Sequence, residues 1–202
     1  MSEKMIVKRK SIPWFALWGA VGFGIGGIIA ISIIYVITTV FDISLPGWPV
    51  FYPGVILGSI GGASLGMPFK GWRSTAVLAL ASGIGFEVGV VSGGFVGLIT
   101  SFLQMPILLT GFAYGGIAGA VGGASLGLAF KDWRRIRLLA LAGAIGFGLP
   151  ASISPTMWLK GLYPGIVASP SLEASVLLVV MLVVGGSCLG TTLGYLERRA
   201  MR

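Results

Sequence analysis

Between Trp14 and Val40 the chain carries no charged side chain, and this run constrains its fold more than any other feature. A membrane-crossing helix needs about 20 predominantly apolar residues. A secretory signal core has only about 7–15 and ends at a small-residue cleavage site. The run is too long for that and has no Ala-x-Ala exit, so it is expected to remain as a first membrane helix. Five further apolar segments follow, at about Val50–Met67, Ser74–Leu98, Ile107–Ala129, Ile136–Ala151 and Glu173–Tyr195. The fifth is expected to stop near Pro150, because proline cannot continue the backbone hydrogen bonding of a helix. The expected class is all-α integral membrane: six transmembrane helices in a single membrane domain covering 1–202.

Charge placement orients these spans. Thirteen of the 14 Lys and Arg residues fall on one side: those at 4, 8, 9 and 10, at 70 and 73, at 131, 134, 135 and 137, and at 198, 199 and 202. Only Lys160 falls on the other. The positive-inside rule then predicts that both termini are cytoplasmic. The net charge of +8 reads as topology, because the basic residues sit in short turns and no separate basic domain exists to hold nucleic acid.

The turns are also where the chain repeats itself. Gly61-Gly62-Ala63-Ser64-Leu65-Gly66, followed by Phe69-Lys70-x-Trp72-Arg73, returns as Gly122-Gly123-Ala124-Ser125-Leu126-Gly127, followed by Phe130-Lys131-x-Trp133-Arg134. Ile84-Gly85-Phe86 matches Ile145-Gly146-Phe147, the first span has Val21-Gly22-Phe23-Gly24, and the last has Gly185-Gly186-Ser187-Cys188-Leu189-Gly190. The expected plan is three parallel two-helix repeats of roughly 60 residues, about 13–72, 73–133 and 134–199, around a pseudo-threefold axis.

Glycine recurs every fourth residue within the spans. Gly58, Gly62 and Gly66 form one row; Gly115, Gly119, Gly123 and Gly127 form another; Gly89 and Gly93, and Gly186 and Gly190, form two more. Residues four apart share a helix flank, and small residues there let helix backbones approach closely in lipid. These rows are expected to be helix-packing grooves rather than a pore lining, since an intact helix already uses its carbonyls. Gly22-x-Gly24-x-x-Gly27 mimics a dinucleotide-binding pattern, but it lies mid-span with no preceding strand and no acidic residue about 20 positions on.

Residues able to do chemistry are scarce. Histidine is absent and Cys188 is the one cysteine, which excludes His-based proton relays and an intramolecular disulfide. Cys188 occupies a serine-like slot in the last repeat and is expected to be a small packing residue. No nucleophile–base pair or metal constellation is present, so the chain is not expected to be an enzyme, and no cofactor or metal is implied.

Glu87 is the exception. It is an ionisable residue well inside a span, and such residues mark functional sites by default. Its counterparts are Gly24 and Gly148, so one member of a Gly-Phe-Gly set is an acid. The simplest expectation is a neutral carboxyl bonded to a carbonyl or to a serine such as Ser64 or Ser125; the sharper one is proton or cation handling. Lys70, Trp72, Arg73, Lys131, Trp133, Arg134 and Arg135 are expected at the lipid-headgroup interface, with anionic lipids as ligands. Two functions follow. One is a non-catalytic scaffold or accessory subunit that packs against membrane-protein partners or its own copies. The other is a small-solute or ion channel or transporter with Glu87 beside its path.

Overall fold

The computed structural model describes residues 12–40, 53–69, 71–153 and 172–200. These residues form six α-helices: α1 Ile12–Val40, α2 Pro53–Gly66, α3 Trp72–Phe102, α4 Ile107–Ala129, α5 Trp133–Ile153 and α6 Leu172–Ala200. All but α2 are long and apolar enough to cross a membrane. The protein is an all-helical, multi-pass membrane protein.

Two boundaries depart from expectation. The second span is described only from Pro53: α2 has 14 residues, about 21 Å at 1.5 Å per residue, less than a hydrocarbon thickness of about 30 Å, and positions 50–52 of the expected span lie outside the described residues. The fifth span does not stop at Pro150, and α5 continues to Ile153. Pro150 has no N–H to donate to the Gly146 carbonyl, yet the helix runs on for three residues, and Ser152 Oγ donates to the Leu149 carbonyl at 2.6 Å.

Each helix packs on the next in sequence, and α6 packs on α1. Within the bundle, α1, α3 and α5 contribute Phe23, Phe86 and Phe147, all buried. Their rings meet pairwise, with centroids 5.1, 5.6 and 5.2 Å apart and tilted or edge-on geometry, the arrangement aromatic quadrupoles favour. Buried Leu65, Leu126 and Leu189 from α2, α4 and α6 belong to the same core, as do Phe15, Leu78 and Leu139.

Glycine lets these rings in. The rings of Phe23, Phe86 and Phe147 lie over Gly61, Gly122 and Gly185, where a Cβ would come within 2.6, 2.5 and 2.5 Å of ring carbons. A second row brings backbone against backbone. Gly119 of α4 and Gly143 of α5 face each other so closely that a Cβ on either would strike the other's carbonyl. Gly123 and Gly127 continue that seam against Leu139 and Ile136, and Gly115 continues it against Phe147 and Ala151. Gly186 and Gly19 make the same reciprocal contact between α6 and α1, with Gly190 on Phe15. Between α2 and α3, Gly58 meets Ser82, Gly62 meets Leu78 and Ser82, and Gly66 meets Thr75. Gly89 and Gly93 lie against the carbonyls of Ala118 and Tyr114, at 2.6 and 2.7 Å from an added Cβ.

Candidate functional site

Fifteen residues of α3 separate Trp72 from Glu87, about 22 Å along the axis, which sets the carboxyl well inside the hydrocarbon. What it meets there is the start of the short helix. Val55 N–H donates to Glu87 Oε2 at 3.0 Å, and the Gly54 N–H is also directed at the carboxyl. The first N–H groups of a helix have no partner within it and carry the positive end of its dipole. Glu87 thus caps α2 from the neighbouring helix. Only glycine fits at position 54, because a Cβ would lie 2.7 Å from both Glu87 Cα and Oε2.

The serines expected beside Glu87 are engaged elsewhere. Ser64 and Ser125 Oγ donate to the Gly61 and Gly122 carbonyls of their own helices, each at 2.7 Å. They fill the space over Gly22 and Gly85, and Cys188 fills the matching space over Gly146. The acid's neighbour from α4 is Tyr114, a buried residue that interacts with it electrostatically. Sequence reasoning missed Tyr114 and the meeting of the α2 start with Glu87. The Tyr52-Pro53-Gly54 turn was a signal for where α2 starts, but only the fold brings that start beside residue 87.

Glu87 Oε1 is buried without a hydrogen-bond partner, and so is the hydroxyl of Ser82, one and a half turns nearer Trp72 on α3. Ser82 is 0% exposed. Both project into the α2·α3 seam.

The basic turns split in two. Trp72 and Trp133 are 76% and 64% exposed, and each carries an arginine over its ring, Arg73 at 5.8 Å and Arg137 at 5.1 Å. Lys131 and Arg134 are exposed as well. Arg135 turns inward instead. It pairs with Glu197 of α6, approaches Asp132 at 3.4 Å and lies 4.7 Å over the Phe130 ring. Asp132 also accepts the Arg134 N–H at 2.9 Å, the geometry of a carboxylate at a helix start. Lys70 and residues 1–11, 41–52, 154–171 and 201–202, Lys160 among them, lie outside the described residues.

No group of three or more potential metal ligands occurs among the described residues. No family model, curated protein or solved structure matches the chain.

Proposed function

We propose that this protein is a non-catalytic membrane scaffold or accessory subunit, built as three parallel two-helix repeats with both termini cytoplasmic. The observation that carries the reading is the interior. Where a solute path along a threefold axis would run, three phenylalanines touch one another, and the surrounding seams close backbone to backbone. Transporters assemble polar groups near the midplane. Here the matched positions of the repeats are filled by Phe23, Phe86 and Phe147 over glycines, which supports both the repeat and the scaffold role. The tryptophan–arginine pairs at the ends of α3 and α5 suit anionic headgroups, the polar rim of a protein that orients itself in lipid. Apolar side chains such as Phe95 and Phe102, 65% and 88% exposed, face outward to lipid or to a partner.

Purification in mild detergent, with quantitative identification of co-purifying chains, tests this. A stoichiometric partner or a defined homo-oligomer is expected. A stable lone monomer overturns the scaffold reading.

The second reading, a channel or transporter with Glu87 as its intramembrane polar site, is favoured by one observation: a carboxyl held at hydrocarbon depth against a helix terminus. It requires a route other than the phenylalanine-filled axis. Flux of protons or small ions across protein-loaded vesicles, lost in Glu87→Gln, would establish it.

A further inference from the structure

The seams between successive hairpins differ in one property. On α3, the residues that meet α2 include Thr75, Ser82 and Glu87. The matched positions are Ile136, Gly143 and Gly148 on α5, and Ile12, Gly19 and Gly24 on α1. From α2, Ser59 places its hydroxyl over Gly83, where the other copies have Ala120 and Val183. At these positions one seam is polar and its two counterparts are apolar.

Two of these groups are unsatisfied. The Ser82 hydroxyl and Glu87 Oε1 account for two of the three buried, unpartnered side-chain polar atoms among the described residues. Each such group costs about 1–3 kcal/mol. Stability does not explain keeping two in one seam when glycine serves at the same places elsewhere.

We propose that the α2·α3 seam holds a reversible proton-binding site: Glu87 takes one proton on Oε1 while Oε2 keeps the Val55 N–H, and Ser82 provides a second buried, unpartnered polar group on the same seam. The step is a simple protonation, with no other bond made or broken. A proton fits and larger ligands do not. Hard metal cations gather roughly six or more oxygen ligands, whereas one free carboxylate oxygen is present here. The close approach of Gly54, Gly58 and Gly62 to α3 leaves no room for a solute. The groups facing Glu87 are the Gly54 and Val55 N–H of α2 and the Tyr114 side chain of α4. The described part of α2 carries no ionisable side chain, so no basic residue there neutralises the acid. Protonation would remove the charge that complements the α2 dipole, coupling proton occupancy to how firmly α2 is held. The inference goes beyond the scaffold reading, which needs no proton, and it stands if no partner is found.

The test is carboxyl modification by a hydrophobic carbodiimide, dicyclohexylcarbodiimide, on the full-length protein in lipid nanodiscs. The reagent adds to a protonated carboxyl in an apolar setting and leaves a stable acylurea that peptide mass mapping locates. An adduct on Glu87 is expected, falling about tenfold per pH unit above its midpoint as the proton leaves. Ser82→Ala is expected to move that midpoint, and Glu87→Gln to abolish the adduct. If Glu87→Gln fails to fold, the wild-type pH series alone decides. No adduct at any pH, in protein that becomes labelled once denatured in acid, overturns the proposal. So does a yield independent of pH, or one suppressed by sodium at constant pH, which would make the site a cation site.

Discussion

The α4·α5 and α2·α3 seams start from the same glycine row and reach different ends. In the first, Gly119 and Gly143 cross backbone to backbone, and α4 runs for 23 residues alongside its neighbour. In the second, Gly58 crosses Ser82, and α2 starts against the carboxyl of Glu87 and runs for 14 residues. The first seam is held along its length by close contact, which is what binds helices in lipid, where burying apolar surface brings no gain over the tails. The second gives up part of that contact for two polar groups, one of which anchors the first turn of α2. Keeping buried polar groups in place of close backbone contact sets stability aside, a departure from local consistency that proteins make mainly where something other than stability is served.

The largest test of this contrast is Gly119→Ala. Its Cβ would meet the Gly143 backbone and the Phe147 ring, neither of which has space to withdraw. A loss of about 3 kcal/mol is expected, the upper end for overpacking. Gly58→Ala meets the Ser82 backbone instead, but α2 is short and can shift along its axis, so a loss of about 1–2 kcal/mol is expected there. Unfolding by SDS titration in mixed micelles, followed by circular dichroism, measures both. Equal losses would mean that the polar seam is as rigid as the apolar one.

Next comes the anchor. Glu87→Gly restores the residue found at Gly24 and Gly148 and removes the acceptor of the Val55 N–H, so about 1 kcal/mol should be lost, the usual worth of an N-cap. Hydrogen exchange should rise in the first turn of α2 and nowhere in α4. Protection unchanged at Val55 would show that α2 does not depend on the carboxyl. Ser82→Ala runs the other way. It keeps the Cβ and deletes an unpaired buried hydroxyl, so a gain of about 1 kcal/mol is expected in the same titration. A loss would show that Ser82 has a partner in the membrane.

The two seams also show what was legible in the sequence and what was not. The glycine spacing located Gly119, Gly123 and Gly127 on one flank, because a four-residue period needs only the helix. Glu87 stood out in the sequence as an exception to the pattern, but the α2 start it meets was not legible, since that depends on the packing of α2 on α3. Register across the ring was also hidden. The repeats align Gly186 with Gly62 and Gly123, which lie over Leu78 and Leu139, so Gly186 should lie over Phe15. It lies over Gly19, one turn away, and Gly190 takes Phe15. The cause is Leu182, which stands where the other copies have Gly58 and Gly119. A leucine cannot make the backbone crossing, and the contact moves one turn to the next available glycine.

The smallest expected effect falls outside both seams. Gly94 has nothing within 4 Å of an added Cβ, in contrast to Gly93 beside it, whose Cβ would lie 2.7 Å from the Tyr114 carbonyl. Gly94→Ala should therefore leave the isolated protein unchanged or raise its stability by about 0.5 kcal/mol, part of the helix-propensity difference between the two residues. Gly93→Ala should cost about 1–2 kcal/mol, because the carbonyl must move. The pair separates two uses of glycine on one helix: filling the fold, and presenting a close-approach surface outward. If Gly94→Ala leaves stability intact but releases a co-purifying chain, that glycine is where the partner's backbone comes near. If stability and partner are both unaffected, the open glycine faces lipid, and any scaffold surface lies on another helix.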